Sequence, residues 1–342
     1  MNPGKWFQPL LTSSESLRKR RSGRILYLFS LLLAAVLLYL ALRGVDWSVL
    51  ADGFQHAEYA FFPAVFLLTG LSYLVRAVRW MLLIGGPAPA GLGEIFWAKM
   101  TGFLGNLLLP ARAGELVRAV YLSKRSENSA SFLLATCLVE GVIDIMALVG
   151  LGSAALLALR TTSGALLYAS GALALAGVLG LSAVLLLPRF GNPIVRFLAG
   201  VRLLRENQKE RLAQWITHFL LGLRSLRSLR RMFLLVLVTG FAWCLDAITV
   251  VSLAYALHMP VTFLQAAVLL AGLGLSNAIP STPGYVGVYQ FVAVFVLEPF
   301  GISRENALTL ILSLQGINVI TVVALGGFGL WRIRNVRSSA SA

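Results

Sequence analysis

The stretch GFLGNLLLPARAGELVRAVYL, Gly102 to Leu122, has a near twin about 170 residues later, GLGLSNAIPSTPGYVGVYQF, Gly272 to Phe291. Asn106, Pro110 and Gly114 of the first fall opposite Asn277, Pro280 and Gly284 of the second, within a residue of register. Proline lacks the N–H a helix needs and pushes the residue before it out of helical geometry. Each stretch therefore reads as an apolar helix broken partway, at Pro110 and Gly114 in one and at Pro280, Pro283 and Gly284 in the other. In a membrane protein, two such interrupted segments at matching places in two halves point to a binding site near the bilayer midplane.

Composition supplies the membrane. Hydrophobic residues make up 58% of the chain and charged residues 13%, against about 25% charged in a soluble domain. Mean hydropathy is +0.81. The 342 residues suffice for roughly six to nine crossings at about 20 residues each. No long polar stretch leaves room for a separate aqueous catalytic domain. Cys137 and Cys244 both lie in apolar runs and read as core residues, with no disulfide framework or metal-ligand spacing. Arg18, Lys19, Arg20, Arg21 and Arg24 precede the apolar run Ile25–Leu42. That run ends at Arg43-Gly44-Val45-Asp46 without a small-residue cleavage pattern, so it reads as an uncleaved first helix. The net charge of +15 gathers at 18–24, 124–125, 189–231 and 332–337, between apolar runs. This is the distribution of cytoplasmic loops beside anionic lipid, not of a nucleic-acid footprint.

Threading the chain with its basic ends inside gives an all-α polytopic protein with six full transmembrane helices and two re-entrant broken hairpins. Ile25–Leu42 crosses outward to an acidic outer loop holding Asp46, Asp52 and Glu58, and Tyr59–Ile84 returns to the stop at Gly85-Gly86-Pro87. The first hairpin, from Glu94 to Leu122, begins and ends inside. Ala130–Leu159 and Ala165–Leu187 cross out and back. Residues 189–231, with ten Lys/Arg against two Glu, read as amphipathic helices on the cytoplasmic surface. Phe233–Leu257 crosses outward, the second hairpin at about 263–298 begins and ends outside, and Ala307–Trp331 returns. The parts are a basic cytoplasmic N-terminus (1–24), one integral membrane domain (25–331) and a basic cytoplasmic tail (332–342). Within the domain, segments 59–159 and 233–331 form a candidate inverted-topology repeat, in which Arg76 falls opposite Asp246 and Tyr73 opposite Trp243. Eight spanning helices, two of them kinked and tilted, would give the same hydropathy.

Ionisable residues inside apolar spans are costly and face a partner or a cavity. Arg76 and Arg79 stand three apart, Glu140 and Asp144 four apart, and Asp246 lies deep in its helix. Arg112, Glu115 and Arg118 follow the first break. Two readings stand: these groups neutralise one another, or they line a polar path in which guanidiniums clasp a phosphate. In the second, the carboxylates hold a cationic headgroup, carry a proton or position the arginines. Arg79, near its helix end, fits either the path or a snorkelling role. A helix restarting after a break offers free N–H groups to an anion. Asn106 and Asn277 precede the breaks, placed to satisfy freed backbone groups or to touch a substrate. His56, His218 and His258 are scattered, and neither a Walker loop nor a metal-ligand cluster is present. The glycines at Gly150–Gly152 and Gly326–Gly329 read as helix-packing residues. The expectation is a non-enzymatic protein without a metal or cofactor.

The run from Asn106 through Pro110, Arg112, Gly114 and Glu115 to Arg118, the pair Glu140 and Asp144, and Pro280-Ser-Thr-Pro283-Gly284 with Gly287 together resemble one family. It is the flippase-like membrane family named after the transmembrane region of lysylphosphatidylglycerol synthases. The resemblance runs from about residue 25 to 331 and implies a bacterial inner-membrane protein that moves, or helps move, a polar-headed lipid between leaflets. Two positions depart from it: Gly141 follows the motif Glu where members often carry Arg, and Gln290 stands near a position where they often carry Glu. The aminoacyl-transferase domain fused in true synthases is absent from this sequence. The expected substrate-binding set is Arg76, Asn106, Arg112, Glu115, Arg118, Glu140, Asp144, Asn277 and Gln290. The expected partners are anionic phospholipid or polyprenyl-phosphate-linked lipid, with a lipid-synthesis enzyme or a second copy of the chain as further candidates and no nucleic acid. Two other functions fit the same residues: a non-transporting membrane partner of a lipid- or glycan-synthesis enzyme, and an ion or small-solute transporter.

Overall fold

A computed structural model describes residues 31–85, 91–109, 113–159, 229–277 and 283–339, with isolated positions between 164 and 175. The described residues are helical and contain no strand. Helix α1 (Leu31–Leu42) turns through 85° into α2 (Trp47–Gln55). A short turn at Tyr59–Phe61 leads into α3 (Phe62–Ile84), followed by α4 (Leu92–Leu108), α5 (Gly114–Ser123) and α6 (Ala130–Leu159). The second half has α7 (Leu229–Ala256), α8 (Phe263–Ser276), α9 (Val288–Leu297) and α10 (Arg304–Ser339).

Four helical stretches are long and apolar enough to cross a membrane: Tyr59–Ile84, Ala130–Leu159, Arg230–Ala256 and Arg304–Arg332. The bent α1–α2 pair makes a fifth if it is one span. The expected outer loop after residue 42 therefore needs correction, because it holds a nine-residue helix. Asp46 starts that helix: its Oδ1 accepts from the Ser48 N–H at 2.9 Å and the Ser48 hydroxyl at 2.6 Å, filling donors that a helix start leaves empty. The expected crossing Ala165–Leu187 and the surface helices of 189–231 lie outside the described residues.

Both broken stretches double back on themselves. Helix α4 ends at Leu109, whose φ of −109° and ψ of 143° are extended, as a residue before proline requires. Its 17 residues reach about 26 Å at 1.5 Å per residue, short of a crossing. Arms α4 and α5 pack along their length because glycines clear the way. A Cβ on Gly105 would sit 2.8 Å from the Gly114 Cα, and one on Gly114 would overlap the Gly102 carbonyl oxygen. In the second hairpin α8 begins with a capping box, in which the Thr262 N–H donates to Gln265 Oε1 at 2.8 Å. It ends at Asn277, and the chain restarts through Gly284 (φ 74°), Tyr285 (φ 58°) and Gly287 (φ 88°). Gly287 is doubly constrained, since a Cβ there would also run into the Ala34 carbonyl of α1. The tips of the two hairpins meet, with a Cβ on Gly284 falling 3.6 Å from Leu107.

Helix pairing follows one rule. Helices α3 and α7 pack on each other, α4 on α10, and α8 on α6. Exchanging α3 with α7, α4 with α8, α5 with α9 and α6 with α10 leaves this set of partners unchanged. Glycines set the close crossings: Gly152 against Ala271, Gly274 against Leu148, Gly326 against Leu104 and Gly329 against Thr101. One apolar core joins Val65, Leu156, Leu253, Leu269 and Ile311, and another joins Trp80, Leu83, Ile95, Leu122 and Leu133.

Candidate functional site: a buried ion cluster

Four cations and four carboxylates form one connected cluster drawn from α3, α4, α5, α6 and α7. Arg79 is its hub. Its Nη1 reaches Asp144 Oδ1 at 2.5 Å, and its Nη2 donates to Asp144 Oδ2 and to Glu140 Oε1, each at 2.7 Å. Glu140 takes two further cations, Lys99 on Oε1 and Arg118 Nη1 on Oε2 at 2.7 Å. The other edge of Arg118, Nε and Nη2, holds Glu115 Oε2, with Nε at 2.7 Å. Arg76 pairs with Asp246, lies 3.7 Å from Asp144 and stacks 4.4 Å over the Trp243 ring. The Trp243 Nε1–H in turn donates to Asp144 at 3.2 Å, and the Ser72 hydroxyl donates to Asp246.

Helix periodicity explains the convergence. Spacings of three and four residues put Arg76 with Arg79, Glu115 with Arg118, and Glu140 with Asp144 on single faces. The glycine-lined α4–α5 crossing lets Arg118 approach, with a Cβ on Gly102 falling 2.9 Å from the Arg118 Cβ. Trp80 floors the cluster: its indole N–H donates to Thr136 at 3.0 Å, while its ring lies 4.8 Å from the Arg118 guanidinium and 5.9 Å from Lys99 Nζ.

Burial divides the cluster. Side chains of Arg79, Lys99, Arg118 and Glu140 are at most 5% exposed, whereas Arg76, Asp144, Asp246 and Glu115 are 12–28% exposed. The heart is sealed, and the rim of Arg76, Asp144, Asp246 and Glu115 is half-buried. Two buried polar atoms of this site, Arg79 Nε and Asn106 Oδ1, have no partner among the described residues. The Asn106 amide donates weakly to Glu115 Oε1 at 3.3 Å.

Of the residues singled out from sequence, Arg76, Asn106, Glu115, Arg118, Glu140 and Asp144 come together here. Arg112, Pro110 and Pro280 lie outside the described residues. Asn277 and Gln290 are not in the ion cluster. They form a neutral polar knot in the second hairpin, where Tyr289 donates to Asn277 at 2.8 Å and Gln290 bonds both the Gly287 N–H and Gln315. Gln315 extends the knot to the Gly284 carbonyl at 3.1 Å. Arg79 does not snorkel, because Glu140 and Asp144 hold it inside. The sequence reading left Lys99 out of the site altogether. A lysine amid WAKMTGFLGN meets the same rule that picks out Arg76. Asp246, outside the sequence-based substrate set, joins the cluster through Arg76 and Ser72.

The fold and cluster define a polytopic helical membrane protein with a charged core. The family model of the lysylphosphatidylglycerol synthase transmembrane region matches residues 27–326, and the chain belongs to that family. It is 25% identical over 362 aligned residues to the glycosyltransferase AglD of Haloferax volcanii, covering 94% of this chain and 56% of that protein. It is 24% identical over 239 residues to a UPF0104 membrane protein of Methanocaldococcus jannaschii, covering 68% of this chain and 95% of that one. The chain thus spans little more than half of the first relative's length. No solved structure matches it.

Proposed function

We propose that this protein is a lipid translocase, moving a phosphate-bearing lipid headgroup past the ion cluster between leaflets without catalysing a reaction. The observation that carries this reading is a cluster of eight ionisable side chains whose rim is only half-buried. Buried ion pairs contribute little net stability compared with apolar packing, and within a bilayer they cost more. A bundle that needed only to hold together is better served by leucine. The half-buried rim of Arg76, Asp144, Asp246 and Glu115 is where a headgroup reaches the arginines. In this reading Arg76, Arg112 and Arg118 meet the phosphate, and Glu140 and Asp144 hold the cations in place.

The same reading takes the two halves as an inverted repeat, with six crossings, two re-entrant hairpins, cytoplasmic termini and an inner-membrane location. The exchange symmetry of the helix pairing supports it, as does the contact between Arg76 and Asp246. These two residues occupy equivalent positions in the halves, and equivalent residues meet only near a symmetry axis.

A second reading has its own observation. The cluster is balanced, four cations against four carboxylates, and its heart is sealed, as a purely structural core requires. The name of one relative, a glycosyltransferase, supports reading such a core as the partner of an enzyme of lipid or glycan synthesis. Reconstitution into vesicles with fluorescent phosphatidylglycerol or polyprenyl phosphate separates the two. Translocase function predicts faster leaflet exchange with the wild type and slower exchange with Arg118→Gln and Arg112→Ala. Exchange equal to that of protein-free vesicles, with a stoichiometric enzyme co-purifying, decides for the partner.

A further inference from the structure

We infer that headgroup binding is coupled to uptake of a proton by Glu115, which occupies the phosphate position on Arg118 when no lipid is bound. The inference rests on the headgroup reading above and adds the coupling ion to it.

The starting point is charge balance. Among the described residues all four cations of the cluster are matched by carboxylates, and the free edge of Arg118 is already filled by Glu115. A phosphodiester anion that takes that edge displaces a carboxylate, which would be left as an unpaired charge in a site of low dielectric. The geometry selects which carboxylate gives way. Glu140 is held by Arg79, Lys99 and Arg118. Asp144 is held by both terminal nitrogens of Arg79 and by Trp243. Asp246 is held by Arg76 and Ser72. Among the described cations Glu115 is bound by Arg118 alone, and at 28% its side chain is the most exposed of the four carboxylates.

The contact it makes is the one a phosphate would take. Arg118 spends Nη1 on Glu140 and presents Nε and Nη2 to Glu115. That edge is a planar two-donor fork matching two oxygens of a phosphate.

Asn106 supplies the place for the displaced proton. Its amide N–H already reaches Glu115 Oε1 at 3.3 Å, while its Oδ1 is buried without a partner among the described residues. A carboxylate offers only acceptors, so it cannot satisfy that oxygen, but a carboxylic acid brings an O–H that can. The exchange balances: the phosphodiester anion takes Arg118, Glu115 leaves it and accepts one proton from water at the half-buried rim, and the cluster stays neutral. Among the described residues, the charged groups around Glu115 are Arg118 on its own helix, Lys99 on α4, Glu140 on α6 and Arg79 on α3, with the Cys137 thiol of α6 beside Arg118. Helix α10, packed on α4, has no ionisable residue between Glu305 and Arg332.

The test is binding of phosphatidylglycerol to the purified full chain in neutral detergent, by calorimetry in buffers of different ionisation enthalpy. Diacylglycerol and inorganic phosphate serve as comparison ligands. The expected result is uptake of about one proton per phosphatidylglycerol, and affinity falling about tenfold per pH unit where Glu115 is ionised in the free protein. Glu115→Gln should bind without proton uptake or pH dependence, and Asn106→Leu should weaken binding chiefly where Glu115 is ionised in the free protein and takes up its proton on binding. Diacylglycerol should not bind, and inorganic phosphate should bind more weakly than the lipid.

Phosphatidylglycerol binding with no proton uptake in the wild type, or with the pH slope kept in Glu115→Gln, overturns the coupling and leaves the headgroup reading standing. Absence of phosphatidylglycerol binding in both proteins at every pH overturns the headgroup reading and the coupling with it. Inorganic phosphate binding as tightly as the lipid assigns the site to a free anion and overturns the lipid source. The proton count on the wild type needs no variant, so a misfolded Glu115→Gln does not stop the test.

Discussion

Glu140 accepts from three cations while almost wholly buried, so its charge holds together more of the cluster than any other. Glu140→Gln leaves an excess of buried positive charge, and breaking a buried ion pair by removing one partner costs about 3–5 kcal/mol. The thermal unfolding midpoint in detergent should fall markedly for this variant and hardly at all for Glu298→Gln, an exposed surface pair. Asp46 works in the opposite setting. Its bonds to the Ser48 hydroxyl and the Ser48 and Val49 N–H groups hold its carboxyl below the usual carboxylate range. A lowered folded pKa means that the cap's contribution is present above the ordinary Asp range and is lost as pH falls through the folded value. Hydrogen exchange across Trp47–Gln55, corrected for its intrinsic pH dependence, should speed up on acidification, and in Asp46→Ala it should be fast at every pH. Arg76 and Asp246 were readable as residues that do not belong in lipid. Their mutual contact was not, because pairing across 170 residues depends on how α3 meets α7, which no local pattern records.

At the scale of elements, the broken hairpins were the most legible part of the chain, since proline and glycine act through backbone geometry that any surroundings must respect. Helix α2 was not legible: nine residues give too little periodicity, and only the Asp46-Trp47-Ser48 cap marks its start. Glycines looked alike in sequence, yet the structure separates them. Gly114 lies against Gly102 and Asn106, whereas Gly327 and Gly150 have open space around them. Gly114→Ala should force α4 and α5 apart at a cost of about 1–3 kcal/mol and lower the yield of folded protein. Gly327→Ala should be neutral or stabilising by about 0.5–1 kcal/mol, so paired thermal unfolding curves test whether close approach, not glycine content, sets the hairpin.

For the whole molecule, the proposed inverted arrangement places the bases of the two hairpins on opposite faces. The first base is tied by Glu94 to Arg125 at 2.6 Å and to Arg332 at 3.4 Å. The second is tied by Glu298 to Arg304 at 3.0 Å, with Arg304 also reaching the Arg43 carbonyl at 2.6 Å. Single cysteines introduced at Lys124 and at Ser303, in a Cys244→Ser background, should react with a membrane-impermeant thiol reagent from opposite sides. Labelling of both from one side would replace the inverted repeat with eight spanning helices. The swap-invariant helix pairing could not be read ahead of the structure, because hydropathy locates helices without saying which of them touch.

The central claim is that the ion cluster with its half-buried rim carries a phosphate headgroup across the membrane, and leaflet exchange in reconstituted vesicles tests it most directly. Wild-type protein should accelerate exchange of a fluorescent phosphate-bearing lipid over protein-free vesicles, and Arg118→Gln should return the rate towards that of the empty vesicles. Equal rates for wild type, Arg118→Gln and empty vesicles, across both phosphatidylglycerol and polyprenyl phosphate, would contradict the account.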